Sequence, residues 1–324
     1  MKVLFVHNAY QVRGGEDSVF ENECSMLECS TKVDVYLESN DSISSVFSKL
    51  LASINVSFSI SVFFKFQKYL KKNSPDIVHV HNYFPKISPA IFYACKCSGV
   101  PVVHTLHNFR AICPTATLMY DGIVNETSIK KSSFWTVPKK VYKESYFGTA
   151  ILAFATELHK RVGTWKYAVN GYIALTQFSK EKYVEAGWPA EKIYVKPNFV
   201  TNPGEVSNSR EKFALFIGRL SDEKGIGFLL EAFSKSNLSL KLAGDGPLLD
   251  LVRNCQSDNI EYLGRLSKED VSARMKEASC LVMASTWYEG FPMVIVEAMA
   301  HGLPIVVPNL GNMASVVQHD VNGL

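Results

Sequence analysis

The sequence predicts an α/β protein of two domains, each built on a parallel sheet. Three observations carry that prediction. Short apolar runs alternate with stretches of helical period along the whole 324-residue chain, the pattern that buries a parallel sheet between helices. A polar stretch from Pro197 through Thr201-Asn202-Pro203-Gly204 to Arg210, rich in Ser, Asn, Pro and Gly, interrupts the alternation and marks a domain boundary. At this length, with 47% hydrophobic residues, the chain can bury two cores. The expected domains are 1–198 and 211–324, joined by a linker over 199–210.

The first domain opens with a strand from Val3 to His7, a loop holding Gly14-Gly15, and a helical pattern from Glu16 to about Cys29. The two glycines let backbone approach a ligand closely, but no Gly-x-Gly-x-x-Gly is present, which argues against a nicotinamide-dependent dehydrogenase. Further strands are expected at Lys32 to Leu37, Asp76 to Val80, Val100 to Thr105, Tyr172 to Thr176 and Ile193 to Val195. Thr105-Leu106-His107-Asn108 closes one of these strands at its carboxyl end, where open α/β sheets collect ligands, so His107 is the best candidate histidine. His79 and His81 are read as ordinary loop or strand histidines. In the second half, strands are expected at Phe213 to Ile217, Leu240 to Ala243, Ile260 to Leu263, Cys280 to Ala284 and Ile305 to Pro308, giving a second Rossmann-like sheet. A groove between two such sheets would hold a donor against one wall and an acceptor against the other.

Composition excludes several classes. A net charge of +3 gives no reason to expect nucleic acid. Seven cysteines, an odd number without a signal-peptide pattern at Met1-Lys2-Val3-Leu4-Phe5-Val6, read as reduced thiols of a cytoplasmic protein. Cys95 and Cys97 are taken as a coincidence of helix face. The uncharged run from Leu50 to Phe64 falls short of the roughly 20 residues that span a bilayer. Two regions mix rings with lysines: Phe58 to Lys72, and Lys130 to Tyr172, which holds Lys130, Lys131, Lys139, Lys140 and Lys143 before its first acid, with Phe134, Trp135, Tyr142, Tyr146 and Phe147. Such a mixture suits a peripheral contact at the inner face of a membrane, and equally a core with a solvated surface.

The chemistry concentrates in Glu289-Gly-Phe-Pro-Met-Val-Ile-Val-Glu297. An apolar strand stops, a Gly290-Phe291-Pro292 turn follows, and a helix opens near Met293. Proline fits the first turn of a helix, and the amides beside it point outward at the positive end of the dipole, a cradle for an anion. Eight residues at about 1.5 Å each would set Glu289 and Glu297 roughly 12 Å apart. Retaining glycosidases hold their carboxylates about 5 to 5.5 Å apart, so these two acids grip different parts of one elongated ligand. Arg219 and Lys224, on a loop that ends in Gly225, can bring positive charge to phosphate. Gly244-Asp245-Gly246-Pro247 is a turn before a helix, and the backbone at Leu263 is a candidate for base recognition.

Glu289 and Glu297 with the intervening Gly-Phe-Pro resemble the signature of the family 4 retaining glycosyltransferases of GT-B fold. Gly218-Arg219-Leu220 with Glu223-Lys224-Gly225, the Gly244 turn, and Thr105-Leu106-His107-Asn108 support it, and the resemblance covers nearly the whole chain. It implies two Rossmann-like domains facing across a cleft, with Gly14 and Gly15 near donor phosphate and acceptor. It further implies His107 against the donor sugar, Arg219 and Lys224 on the diphosphate, Glu289 on sugar hydroxyls and Glu297 on the ribose. The acceptor proton would leave to the donor phosphate. Phe109-Arg110-Ala111-Ile112-Cys113-Pro114 resembles a subgroup that makes bacterial surface polysaccharides from lipid-linked or saccharide acceptors. Asn125, Ser128 and Val141 stand where that subgroup often carries cysteines, so no metal site and no cofactor are expected. Similar proteins continue past Leu324 into a further strand and helices, so the second domain is expected to be incomplete. The rival readings are a nucleotide-sugar-binding scaffold or inactive partner subunit, and after it an epimerase or phosphorylase of the same shape.

Overall fold

The computed structural model describes residues 1–9, 14–39, 55–204, 206 and 209–324. The stretch 199–210, expected to be the linker, therefore lies partly outside the described residues, as does part of the uncharged run from Leu50 to Phe64. The chain divides into two compact units, one formed chiefly by residues 1–197 and the other chiefly by 198–324.

In the first unit, strands β1 (Lys2–Ala9), β2 (Lys32–Ser39), β3 (Ile77–Val80), β4 (Val102–Leu106), β5 (Gly171–Ala174) and β6 (Ile193–Val195) form one sheet in the order β2-β1-β3-β4-β5-β6. Every pairing is parallel. Helices α1 (Gly15–Glu28), α2 (Ile60–Asn73), α3 (Ala90–Cys97), α4 (Tyr146–Arg161) and α5 (Gln177–Glu185) fall between the strands in sequence. The interior of β1, Val3 through Asn8, is buried without a break, as a strand covered on both faces requires. Helix starts are fixed by side chains: Ser145 Oγ accepts from the Gly148 amide at 3.1 Å and Thr176 Oγ1 from the Ser179 amide at 2.9 Å, each satisfying an otherwise orphaned donor.

In the second unit, β7 (Phe213–Ile217), β8 (Ser239–Ala243), β9 (Ile260–Gly264), β10 (Cys280–Val282) and β11 (Ile305–Val306) pair in the order β9-β8-β7-β10-β11, again all parallel. Its longer helices are α6 (Ile226–Ser234), α7 (Lys268–Glu277) and α8 (Met293–Ala300). Alternation along β7 sends Phe213 and Leu215 into one core with Leu281, Ile295 and Ile305, and Ala214 and Phe216 into the other with Leu229, Leu240 and Leu242. A period of two with apolar groups on both sides is how a doubly covered strand reads.

Both sheets reverse their strand order beside their first strand, between β1 and β3 and between β7 and β10. Open α/β sheets bind ligands outside the carboxyl ends of the strands at such a point. In each unit the segments that follow those strands carry the residues considered next.

Candidate active site

In the second unit, the loop after β7 and the loop after β10 are locked together. Lys224 ends a short 3-10 turn (Asp222–Lys224), and Gly225 follows with φ 70°. A Cβ on Gly225 would collide with the carbonyl of Ala284, so only glycine lets the two loops approach this closely. The Thr286 amide donates to the Glu223 carbonyl at 2.9 Å. Lys224 Nζ then meets Glu289 Oε1 at 2.6 Å. The same oxygen accepts from Ser285 Oγ and from Trp287 Nε1, each at 2.7 Å, while Asn312 Nδ2 donates to the carbonyls of Glu289 and Gly290. Glu289 is buried and its Oε1 is saturated by three donors. Oε2 carries no hydrogen bond among the described residues and stays available to a hydroxyl donor.

Helix α8 opens directly beyond, with Pro292 as its cap. The amides of Gly290, Phe291 and Met293 donate to no protein acceptor among the described residues. Free amides at the positive end of a helix are a ready anion site. Because α8 begins only at Met293, the rise of about 1.5 Å per residue applies to its half between Met293 and Glu297 and not to the whole interval from Glu289. Burial raises the Glu297 carboxyl above its usual range, against the lowering effect of His301 and Lys268.

Arg219 is exposed and forms no ion pair among the described residues. Its loop is held by backbone: the Leu220 amide donates to the Asp245 carbonyl at 2.9 Å, and the Leu248 amide donates to the Leu220 carbonyl at 2.9 Å. The Gly244 turn fits so tightly against the β7 loop that a Cβ on Gly244 would overlap the Gly218 carbonyl. The Gly244 amide is taken by the Gly264 carbonyl and its own carbonyl by the Tyr262 hydroxyl, both at 2.9 Å. The Leu263 side chain packs on the core, and its backbone belongs to β9.

In the first unit, Gly14 caps α1 in an extended conformation and its amide donates to Asp17 Oδ2 at 2.8 Å; Gly15 is the first helical residue, and the rest of that loop, 10–13, is not described. His107 follows β4 and lines a small pocket of about 30 Å³ with Glu16, Asn108, Arg110, Tyr83 and His81. Behind it lies a cluster of buried histidines and the buried Glu23, joined by the partly exposed Lys196. Lys196 Nζ meets Glu23 Oε1 at 2.7 Å; Glu23 Oε2 lies 3.4 Å from His81 Nε2 and 3.8 Å from His79 Nδ1; His81 Nδ1 and His107 Nε2 are 3.0 Å apart. Burial pushes His107 and His104 down to about 4, and His79 and His81 well below their ordinary value, with the neighbouring imidazoles adding to the shift of the latter two.

Sequence reasoning singled out Glu289, Lys224 and His107. It passed over Ser285, Trp287 and Asn312, which hold Glu289, and over Glu23, His81 and Lys196 behind His107. A Ser-x-Trp-x-Glu loop carries no period. Glu23 and Lys196 are 173 residues apart, joined only because α1 and the segment after β6 meet at one sheet end. Glu23, His79 and His81 also bring three donor atoms within 4.8 Å of one another.

Two successive doubly wound parallel units are the architecture of GT-B proteins. A solved structure of a lipopolysaccharide outer core galactosyltransferase in its apo form matches all of this chain and 85% of its own, with a TM-score of 0.66 at 19% identity. The chain belongs to glycosyltransferase family 4: that family's description matches residues 36–201, and "Glycosyl transferases group 1" matches residues 201–324. It is thus a glycosyltransferase by family. An uncharacterised 41.2 kDa protein of a Klebsiella pneumoniae cps region is 26% identical over 98% of this chain and 84% of its own length. An Escherichia coli UDP-Gal:alpha-D-GlcNAc-diphosphoundecaprenol alpha-1,3-galactosyltransferase is 29% identical over 79% of this chain, which spans 63% of that enzyme.

Proposed function

We propose that the protein transfers a sugar from a nucleoside diphosphate to a hydroxyl of a lipid-linked or saccharide precursor, with retention at the anomeric carbon and no essential metal. The observation that carries the reading is the Glu289 carboxylate, pinned through one oxygen by Lys224, Ser285 and Trp287 with the other left open, next to the free amides that open α8. As the bond from sugar to phosphate breaks, negative charge grows on the diphosphate. Arg219, Lys224 and the amides of Gly290, Phe291 and Met293 would bind that charge more strongly than they bind the ground state, and so lower the barrier. Glu289 would orient sugar hydroxyls and favour positive charge on the ring. Glu297 would accept from ribose hydroxyls, and the acceptor proton would pass to the leaving phosphate.

A uridine donor and a polyprenyl-linked acceptor are supported by the name of the E. coli relative. Contact with a membrane face is supported by the first unit. Tyr146, Phe147 and Phe154 of α4 are exposed, as is Phe134, and Lys140 lies over the Tyr146 ring at 4.4 Å. Phe147, Ile151, Phe154 and Leu158 follow helical spacing along one side, beside the lysines at 139, 140 and 143, a mixture that lies in a headgroup boundary. No helix among the described residues is long and apolar enough to cross a membrane.

The test is a panel of nucleotide sugars scored for donor hydrolysis, with Glu289→Gln and Lys224→Ala as controls. Turnover by the native protein that both variants lose supports transfer; nucleotide binding without turnover supports a scaffold. Sedimentation with vesicles containing anionic lipid, and its loss in Phe147→Ser and Lys140→Ser, tests the membrane face.

A further inference from the structure

We infer that His81 is a positioning residue that holds His107 in the tautomer protonated at Nε2, leaving Nδ1 as a bare hydrogen-bond acceptor in the pocket. The inference rests on the reading of His107 as a sugar contact, and it specifies what kind of contact this imidazole makes.

The geometry fixes each proton in turn. Lys196 holds one oxygen of the buried Glu23 at 2.7 Å, so the group is a carboxylate with its charge balanced. Its other oxygen faces His81 Nε2 at 3.4 Å. That nitrogen is fully buried and has no other partner among the described residues. A lone pair turned towards a carboxylate inside the protein would be repelled, whereas an N–H is attracted, so the His81 proton sits on Nε2. His81 Nδ1 is then an acceptor, and the group 3.0 Å from it, His107 Nε2, must be the donor. A neutral imidazole carries one proton, and His107 is kept neutral by its burial. Its Nδ1 therefore has no proton and makes no hydrogen bond among the described residues. Outer partners commonly set an imidazole's tautomer in this way. A pocket that offers an acceptor selects a ligand that donates, such as a sugar hydroxyl, and disfavours a phosphate oxygen.

The same cluster has the donor set of a small cation site, since Glu23, His79 and His81 converge. Charge decides against it. Lys196 already neutralises Glu23, and a divalent ion would leave two uncompensated positive charges in a buried site.

Nitrogen NMR of the full-length protein labelled with 15N-histidine, without ligand, reads the tautomer directly. The expected result is a His107 with Nε2 in the protonated range and Nδ1 in the unprotonated range. His81→Asn, whose amide oxygen can stand in for Nδ1, should keep that pattern. His81→Phe should lose it, and so should Glu23→Gln, whose amide can donate to His81 Nε2 and reverse the chain. Thermal melts confirm that each variant is folded, and the two disruptive variants act at different residues, so collapse of one leaves the other to decide. A native His107 protonated at Nδ1, or a native pattern surviving in a folded His81→Phe or Glu23→Gln protein, overturns the inference. So does stoichiometric binding of zinc that displaces the His81 proton. The sugar-contact reading fails separately: His107→Ala would then keep full donor hydrolysis while the NMR pattern of the native protein stood.

Discussion

Replacing Lys224 by alanine should cost more stability than a lysine at the surface would, because of what it leaves behind. The ammonium is 2.6 Å from Glu289 Oε1, and the two side chains are 19% and 8% exposed. Breaking a buried ion pair by removing one partner costs about 3–5 kcal/mol, since the remaining charge stays desolvated. Here Ser285 and Trp287 still donate to the carboxylate, and the lysine is partly solvated, which places Lys224→Ala near the lower end, about 3 kcal/mol. Glu289→Gln keeps one acceptor oxygen and leaves a lysine that can turn to water, for about 2 kcal/mol. The double variant should lose about 3 kcal/mol instead of the sum of about 5, a coupling of about 2. The readout can be confined to the correct unit. Trp287 is the only one of the four tryptophans beyond residue 197, so urea unfolding followed by fluorine NMR of fluorotryptophan-labelled protein tracks it separately. A loss under about 1 kcal/mol for Lys224→Ala, or a double variant additive within about 0.5, would refute the claim that these loops are joined by a desolvated charge pair.

Arg210 spreads its guanidinium over four carbonyls, those of Met275 in the last turn of α7 and Ala278 just beyond it, and of His301 and Gly302 after α8, at 2.9 to 3.1 Å. Arg210→Ala should destabilise the second unit by about 2–3 kcal/mol, and Arg210→Lys should recover less than half of that in the same urea experiment, since one ammonium cannot reproduce the fork. Glu297 is held above the ordinary carboxyl value by burial, so the folded state binds its proton more tightly than the unfolded chain, and stability falls as pH rises through that raised value. Glu297→Gln should accordingly be more stable than the native protein at pH 7, with the gap closing below about pH 4.5, and it should bind nucleotide more weakly; a gap that widened in acid would contradict the assignment. His104 and His107 shift the other way, from 6.5 to about 4. The unfolded chain therefore takes up protons first as pH drops, and the first unit should lose stability between those two values, measured as a falling urea midpoint.

The strands were legible because their physics is local. A strand covered on both faces must be apolar along its length, and β7 reads that way before any contact is known; the expected and observed bounds of β6 and β7 coincide, those of β4 differ by two residues at its start and one at its end, and those of β10 by two at its end. Lys224 and Glu289 were legible for another reason. Each sits where a strand gives way to a loop and a helix, and the turn residues Gly225 and Pro292 announce it. What holds them was not legible. Ser285 and Trp287 lie in a loop without a period and Asn312 in the short helix Gly311–Val316, and their value to Glu289 arises only when the segments after β10 and β11 come together. The two histidines dismissed as ordinary, His79 and His81, sit on β3 and just after it with nothing in the local sequence to show that Glu23 and Lys196 face them.

By itself, then, the sequence determined the two parallel sheets, their cores, and the places where chain leaves strand for helix, since hydrophobic period and turn chemistry act over a few residues. Only the tertiary structure decided which oxygen of Glu289 is occupied, which nitrogen of His107 is bare, and which amides are left without a partner. A proton's position in a buried group is set by charges brought within a few ångströms by folding, from parts of the chain as distant as Glu23 and Lys196.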